Sequence, residues 1–326
     1  MLLAGQPNQI APITLQPEQR AVARSVMRSV MSGGRKDGQP RQPFRPLPAN
    51  PPTVRGYQFQ CILGDGGFGT VYRARHEQSG ELRAVKIGAL VDLKHFDREV
   101  LLLQSLAGPH IVKYHEHGTK DGKFWIAMEY LGHRTLDDLI ATKVEPETAL
   151  LLGEQILRGL AAMHERGVIH RDLKPENVMV DDQFRMKLID FGLAKPLPGS
   201  GSGRSVSITA GLIGTPRYMS PEAIRDNRAV APATDMWSFG CILYELLTGQ
   251  PMMESDNVMA LGNEILNKAI RLDRPEIPEE IRPILDRCLQ RELGLRTADA
   301  VAALPLYREA VKETRRRHRH ERYRDH

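Results

Sequence analysis

The sequence has few cysteines, and they are not placed to form a structural cluster. Three Cys occur among 326 residues, far apart at Cys61, Cys241 and Cys288. The sequence contains no Cys-x-x-Cys pair and no Cys/His spacing typical of a zinc site. This pattern argues against a disulfide-stapled secreted fold and against a structural zinc site. It predicts a protein of the reducing cytoplasm.

Long apolar runs are also missing. The most apolar stretch, residues 236–247 (MWSFGCILYELL), is too short to span a bilayer and predicts a buried helix. The first residues, MLLAGQPNQIAP, have neither a basic region nor a long apolar segment, so they do not match a secretory signal. We therefore expect a chain without a membrane span.

The centre of the chain lacks the positive charge that the whole chain carries. The chain has 45 Lys and Arg against 40 Asp and Glu. Residues 1–55 contain 8 basic and 2 acidic residues, and residues 312–326 contain 7 basic and 3 acidic residues. Residues 56–311 keep 30 against 35, so the net charge of +5 is weak support for a nucleic-acid-binding core. We expect the basic tail, residues 312–326, to be solvated and disordered. The alternative is contact with an anionic partner such as RNA, DNA or a lipid surface.

Composition and periodicity divide the chain into an extension, a folded region and the basic tail. Within the extension (residues 1–55), residues 18–32 place Val and Met on one helical face and Arg on the other, which predicts a short amphipathic helix. We expect it to dock on its own domain or to fray, and the alternatives are a membrane surface or a partner. Residues 33–55 are rich in Pro, Gly and Arg and predict a linker. Strand patterns then dominate, followed by helical patterns. We predict an α+β fold with a small β-rich lobe (about 56–131) and a larger helical lobe (about 132–311).

A glycine-rich stretch, LGDGGFGTVYRA, follows the first strand pattern. It places Gly64, Gly66 and Gly69 in a G-x-G-x-x-G spacing, which alone is a weak signal because dinucleotide-binding folds share it. The residues after Gly69 alternate like a strand, which argues against a Rossmann turn. No Gly-Lys-[Ser/Thr] follows, which excludes a Walker A loop. The remaining interpretations are an ordinary hairpin and a hairpin whose backbone N–H groups lie over phosphates.

Several charged residues follow this stretch in a fixed order. Lys86 lies in a strand pattern and Glu99 on a helical stretch, and singly they would be a solvent-reaching lysine and a surface charge. The segment HRDLKPEN (residues 170–177) alone would be a solvated turn, and Asp190 in LIDFG an ordinary strand end. The ordered set resembles the catalytic signature of the protein kinase family over about residues 57–306.

The resemblance implies a role for each charged residue in phosphoryl transfer. Lys86, held by Glu99, would grip the α- and β-phosphates of ATP. Asp172 would orient the attacking hydroxyl and accept its proton. Lys174 would stabilise charge on the transferring phosphate, and its DLKPEN context is similar to serine/threonine kinases and not to tyrosine kinases.

The resemblance also implies a metal and nucleotide site in a two-lobed protein kinase fold. Asn177 and Asp190 would ligate Mg²⁺, a hard cation that prefers oxygen ligands, with Mn²⁺ as the alternative ion. The nucleotide is expected to contact glycines, apolar side chains and the backbone between the lobes. These residues are Leu63, Gly64, Gly66, Gly69, Val71, Ala84, Lys86, Met128, Glu129, Leu131 and Met179.

Further residues are implied to support the site. Glu222, in the Ser-Pro-Glu stretch, would pair with Arg296. Asp235 would anchor the backbone of the catalytic loop, and Thr215 would hydrogen-bond near Asp172.

The run SVSITAGLIGTPRYMSPE resembles the activation segment of bacterial eukaryotic-like serine/threonine kinases. Ser207 and Thr209 match autophosphorylated positions in that group, and Arg171 is placed to pair with a phosphate on this segment. The alternative is a Gly/Ser-rich loop without a regulatory phosphate.

The leading hypothesis is a cytoplasmic serine/threonine protein kinase that autophosphorylates its activation segment. A nucleotide-binding scaffold without turnover would usually lack the lysine, the catalytic Asp or the metal Asp, and none is lost here. A kinase of small molecules would usually lack the DLKPEN pattern and the Ser-Pro-Glu segment. Glu176 matches a position that can attract basic side chains before the target hydroxyl. The sequence indicates neither the protein substrates nor the oligomeric state.

Overall fold

The computed structural model of this chain describes residues 44–66, 69–90, 93–181, 183–190, 216–225 and 229–324. The helix predicted over residues 18–32 lies outside the described residues, as do Ser207, Thr209 and Thr215. The side chain of Glu99 is likewise outside the described part of the chain.

An antiparallel five-stranded sheet, in the order β1-β2-β3-β5-β4, forms the first lobe. Its strands are β1 (Tyr57–Gly66), β2 (Gly69–His76), β3 (Leu82–Ala89), β4 (Tyr114–Lys120) and β5 (Lys123–Glu129). Side chains alternate between the two faces of a strand. On one face, Ala74, Val85 and Ala127 are buried in a small apolar cluster, which leaves the other face to carry the candidate site.

Strand β4 was not predicted from the sequence. Its residues, YHEHGTK, are mostly polar, and the order of the sheet ends at β4. An edge strand of this kind can expose polar side chains on both faces, so no alternation of apolar residues marks it. Helix α1 (Leu93–Ser105) packs beside β4, with the ring of Phe96 5.6 Å from the ring of His117.

The second lobe is helical and contains most of the apolar core. Its helices are α2 (Leu136–Ile140), α3 (Pro146–His164), α4 (Pro221–Arg225), α5 (Pro232–Thr248), α6 (Val258–Asn267), α7 (Arg282–Cys288) and α8 (Ala300–Arg324). Two short strands, β6 (Val178–Val180) and β7 (Met186–Leu188), form a hairpin within this lobe. The predicted α+β organisation, a sheet lobe followed by a larger helical lobe, is confirmed.

Helix α5 is the central helix of this lobe and contains the apolar run of residues 236–247. It is buried along almost its whole length, as expected for a helix that is apolar on all sides. It ends at Gly249, which has a φ of 66° and donates its N–H to the Glu245 carbonyl. Among the described residues, no helix is both long enough and apolar enough to cross a membrane.

Residues before the predicted boundary at Gly56 already pack against the first lobe. Arg45 pairs with Ile62 of β1 through two backbone hydrogen bonds of 3.1 and 2.9 Å. Val54 is buried against the sheet, and Thr53 accepts a hydrogen bond of 3.0 Å from the Lys120 ammonium. The predicted start of the folded region near Gly56 is therefore too late, because Arg45, Thr53 and Val54 already have partners on the first lobe.

The basic tail is not disordered over its described length, which corrects the prediction. Helix α8 continues through Arg324, and Thr314 is buried in its middle. The Arg315 guanidinium lies 3.3 Å from Glu147 of α3, and Arg317 lies 2.8 Å from Glu279. The acidic surface of the second lobe thus pairs with part of the tail charge, which composition alone could not reveal.

Candidate active site

The catalytic loop that follows α3 is held by one buried carboxylate. Asp235, in the first turn of α5, accepts the backbone N–H groups of His170 at 2.7 Å and Arg171 at 2.9 Å. Its side chain is 1% exposed, so an unsatisfied charge here would be costly. Asp235 therefore ties two backbone groups of this loop to the first turn of α5.

His164 completes this anchor and was missed in the sequence. Its Nδ1 accepts the N–H of Ala300 at 3.0 Å, so Nε2 carries the hydrogen and donates to Asp235 at 2.9 Å. A single histidine within an amphipathic helix gives no signal of such a role. The anchor therefore joins α3, α5 and the start of α8 to the catalytic loop.

The loop backbone is strained at the residue before the candidate base. Arg171 has a φ of 66°, in the left-handed region that is unfavourable for a residue with a side chain. Such residues cost about 1–3 kcal/mol and persist where the surroundings fix them. Here the hydrogen bond from the Arg171 N–H to Asp235 fixes the turn that presents Asp172.

Three sequence-predicted residues meet at the end of this loop. The Lys174 ammonium lies 3.1 Å from the Asp172 carboxylate. The Asn177 side-chain amide donates to the Asp172 carbonyl at 2.7 Å and to its carboxylate at 3.0 Å. With its Nδ2 occupied in this way, Asn177 has its Oδ1 as the oxygen for another ligand.

The β6–β7 hairpin brings Asp190 to the same place. The Ile189 N–H donates to the Asn177 carbonyl at 3.0 Å, which sets Asp190 beside the catalytic loop. Asp190 itself has a φ of 55°, a second strained residue in the site. Its carboxylate is 2.5 Å from the Lys86 ammonium, an ion pair between the two lobes. Lys86 was expected to pair with Glu99, whose side chain the structure does not describe.

The donor set around Asp190 suits a hard divalent cation. Asp190 and Asn177 offer a carboxylate and an amide oxygen, the ligand types that Mg²⁺ prefers. Within the described residues, no group of three or more His, Cys, Asp and Glu could hold an ion alone. An ion here would complete its coordination with phosphate oxygens and water, as Mg²⁺ does in phosphoryl-transfer sites.

One face of the sheet carries the residues expected to contact the nucleotide. Val71 lies opposite Lys86 and Ala84 opposite Met128, so these residues share a face of the sheet. The apolar members of the set are half-buried, which is typical of a cleft and not of a core. They are Leu63, Val71, Ala84, Met128, Leu131 and Met179.

One backbone group of Glu129, its N–H, already makes a hydrogen bond within the first lobe. Its N–H donates to the Lys113 carbonyl at 2.9 Å, so this group does not face the cleft. Its carboxylate lies 2.5 Å from the Lys187 ammonium, which ties β5 to β7. A nucleotide would therefore have to use a backbone group of Glu129 other than its N–H.

A buried ion pair supports the second lobe below the site. The Arg296 guanidinium binds the Glu222 carboxylate with two hydrogen bonds of 2.8 and 2.9 Å. Burial alone would raise the pKa of Glu222, but the hydrogen bonds and charge of Arg296 outweigh it and lower the pKa. Thr234 also donates to Glu222 at 2.8 Å, so the carboxylate is fully engaged.

Comparison with known proteins places most of the chain in one group. A family model described as "Protein kinase domain" matches residues 57–305. Serine/threonine-protein kinase pkn3 of Myxococcus xanthus is 31% identical over 80% of this chain and 51% of its own length. CBL-interacting protein kinase 17 of Oryza sativa is 35% identical over 64% of this chain and 47% of its own length.

A solved structure shows the same architecture. Rad53 1–466 in complex with AMP-PNP matches with a TM-score of 0.65 and 28% identity, covering 78% of this chain and 66% of that one. The chain spans about half the length of these first curated relatives.

Proposed function

Because this chain belongs to the protein kinase family, we propose that it is an active serine/threonine protein kinase that transfers the γ-phosphate of ATP to protein hydroxyl groups. The observation that carries the proposal is the cluster of Asp172, Lys174 and Asn177 facing the Lys86–Asp190 pair. The names of the relatives, which are serine/threonine kinases, support the choice of acceptor. A cytoplasmic location stays a prediction.

The chemistry follows from these side chains. The Asp172 carboxylate orients the substrate hydroxyl and takes up its proton as the oxygen attacks the γ-phosphorus. Lys174 lies 3.1 Å from Asp172, where its charge can stabilise the transferring phosphoryl group. Lys86 would bind the phosphates that remain as ADP. Asp190 and Asn177 would hold a Mg²⁺ ion, which would supply positive charge to neutralise the phosphates.

A phosphotransfer assay tests this function directly. The full chain is incubated with Mg²⁺ and ATP and a mixture of protein acceptors, beside Asp172→Asn. Asp286→Asn, a change of the same kind on the exposed face of α7, serves as the matched control. We expect the first variant to lose at least about 100-fold in rate and the control to keep the parent rate. Equal rates in parent and Asp172→Asn would contradict the proposal.

We further propose that the kinase phosphorylates its own activation segment at Ser207 and Thr209. Both residues lie outside the described part of the chain, and the support comes from the sequence resemblance and from Arg171, next to Asp172. Mass spectrometry after incubation with ATP should find phosphate at these positions, and the double variant Ser207→Ala/Thr209→Ala should start with low activity. Phosphate found only at other positions would support the kinase activity and contradict this regulation of the activation segment.

A preference for basic residues before the target hydroxyl is a finer proposal. Glu176 lies between Lys174 and Asn177 in the catalytic loop, where part of its surface is open to solvent. Desolvation by the surrounding protein raises the pKa of Glu176, and the nearby carboxylates of Asp137 and Asp172 add to the rise. A cationic substrate side chain would relieve this crowding of negative charge. Glu176→Gln should reduce the preference for arginine-bearing over alanine-bearing peptides severalfold while leaving the alanine-bearing peptides unaffected. A parent enzyme without any such preference would overturn the proposal.

An anionic partner for the two basic ends of the chain also stays a prediction. Two of the tail arginines, Arg315 and Arg317, pair with acidic residues of the second lobe. Salt-dependent retention of the full chain on heparin, compared with Arg319→Ala, would measure how much basic charge is open to such a partner.

A further inference from the structure

Residues 44–56, here called the strap, run along the first lobe before β1 begins. They precede residues 57–305, the part matched by the kinase domain, so the family pattern does not account for them. The strap is fixed at one end by Val54, buried against the sheet, and by Thr53, bound to Lys120. Its other end reaches the glycine-rich hairpin and the connection between the lobes.

The first anchor of this end is the hairpin itself. Arg45 and Ile62 exchange two backbone hydrogen bonds at the free edge of β1, directly before Leu63 and Gly64. Beyond them, the Arg45 guanidinium lies 3.5 Å from Asp65, which accepts a hydrogen bond of 2.7 Å from Thr70 on the returning strand. At this anchor the strap contacts β1 directly and is linked to β2 only through Asp65.

The second anchor is an aromatic and cationic stack beside the cleft. The Arg73 guanidinium lies 4.4 Å from the centre of the Phe44 ring and 6.0 Å from that of Tyr130. The ring of Phe44 also meets His133 edge-on at 6.1 Å. Within the described residues, the buried Nε of Arg73 has no hydrogen-bond partner.

The stack lies on the face of the sheet that carries the nucleotide residues. Arg73 is opposite Ala84 on β3, just as Val71 is opposite Lys86. Two residues apart on one strand, Val71 and Arg73 point to the same side. Phe44 therefore covers the part of this face around Arg73 and contacts His133, while Arg73 itself reaches Tyr130. Both His133 and Tyr130 follow β5.

We propose that the strap is a working part of the nucleotide site, with Phe44 and Arg45 as positioning residues that hold the glycine-rich hairpin over ATP. The proposal rests on the proposed kinase function for the identity of the nucleotide. The backbone hydrogen bonds between Arg45 and Ile62 fix the position of β1 in the hairpin. The Phe44–Arg73 stack connects the hairpin to Tyr130 and His133, between the lobes. Nucleotide affinity then depends on residues that lie outside the kinase domain itself.

The test compares disrupting and conservative changes at the same two positions of the full chain. Phe44→Ala removes the ring, whereas Phe44→Tyr keeps it. Arg45→Pro removes the N–H that binds Ile62, whereas Arg45→Ala keeps it and removes only a half-exposed ion pair. The Kd for a Mg²⁺-bound non-hydrolysable ATP analogue is measured by calorimetry, KM and kcat by phosphotransfer, and protection of residues 58–66 by hydrogen exchange.

We expect Phe44→Ala and Arg45→Pro each to raise Kd and the KM for ATP about three- to tenfold, with kcat at saturating ATP within about twofold. Exchange should accelerate at residues 58–66 and stay unchanged in the helical lobe. Phe44→Tyr and Arg45→Ala should stay within about twofold of the parent in Kd.

Three results would overturn the proposal. They are parent-like Kd values in both disrupting variants, a fall in kcat without a change in KM, and a loss of protection throughout the chain that marks general unfolding. A parent that binds the analogue but transfers no phosphate would sink the kinase function alone, because the Kd comparison would still test the strap. If the parent transfers phosphate while Phe44→Ala and Arg45→Pro bind the ATP analogue with the parent Kd, only the proposal about the strap is overturned.

Discussion

Two glycines of the same hairpin are needed for different reasons. Gly69 has a φ of 133°, and a Cβ added there would lie 2.3 Å from the Ile87 carbonyl oxygen of the neighbouring strand. A Cβ at Gly64 would meet no atom within 4 Å. The fold therefore requires glycine at position 69, whereas at position 64 it leaves room that a phosphate would need.

Alanine substitution should separate these two roles. We expect Gly69→Ala to lower the free energy of unfolding by about 1–3 kcal/mol, because the backbone conformation and the close strand both oppose a side chain. Gly64→Ala should keep the parent stability and raise the KM for ATP severalfold. Chemical denaturation and steady-state kinetics measure the two effects. An equal loss of stability in both variants would contradict the distinction.

The buried ion pair between Glu222 and Arg296 is a second place where a single side chain has a large effect on stability. The Arg296 side chain is 0% exposed and Glu222 8%, so loss of one charge leaves the other buried without compensation. We expect Glu222→Gln to cost about 3 kcal/mol or more in unfolding free energy. Glu309→Gln, which removes an exposed ion pair with Lys312, should cost less than about 1 kcal/mol. Similar costs for both changes would show that Glu222 is not held as described.

At the scale of the element, helix α8 shows how a charged segment becomes ordered. The hydroxyl of Tyr307 donates to the Leu150 carbonyl at 2.8 Å, and Val311 and Thr314 are buried further along. These contacts with α3 and its surroundings stabilise the helix beyond Lys312, where the basic tail was expected to start. A helix of this charge would be marginal alone, and packing of its buried stripe stabilises it.

Two arginines of α8 should therefore differ in their effect on stability. Arg317 is one-third exposed and lies 2.8 Å from Glu279 and 3.2 Å from Glu280, whereas Arg319 is exposed. We expect Arg317→Ala to lower the unfolding free energy by about 0.5–1 kcal/mol at low salt and less at high salt. Arg319→Ala should stay near the parent at both salt concentrations. Equal, salt-independent effects would mean that the tail is solvated after all.

At the scale of the whole molecule, buried titratable groups predict how stability responds to acid. Burial lowers the pKa of His110 and of His170, so both stay neutral in the folded chain at a pH where the unfolded chain binds protons. Their contribution to stability is present above about pH 6.5 and is lost as the pH falls below it. The lowered pKa of Glu222 adds a second loss, which begins only as the pH falls through the ordinary range of Glu.

Unfolding experiments over a pH series should resolve these two stages. We expect the unfolding free energy to decline first between about pH 7 and 5.5 and more steeply below about pH 4.5. His110→Asn keeps a donor for the Met186 carbonyl, which the ring Nδ1 now contacts at 3.1 Å, but it cannot be protonated. This variant should remove the His110 share of the first stage, keep the share of His170, and leave the second stage unchanged. A pH-independent stability above pH 5 would refute the account of the histidines.

The sequence by itself determined the order of the lobes, the glycine-rich hairpin and the identity of the charged residues around Asp172. These features could be predicted because they are local: a turn needs its glycines, a buried helix its apolar run, and HRDLKPEN is one continuous segment. The confirmed α+β organisation has the same origin, since periodicity within short windows separates strands from helices.

The tertiary structure alone decided how distant residues meet. It joined His164 and Asp235 across α3 and α5, ordered α8 against acidic partners, and placed Phe44 beside Arg73. None of these contacts leaves a local pattern, because each partner alone is an ordinary charged or aromatic residue. Their burial and pairing depend on which surfaces face each other once the core has formed, and that is set by packing over the whole chain.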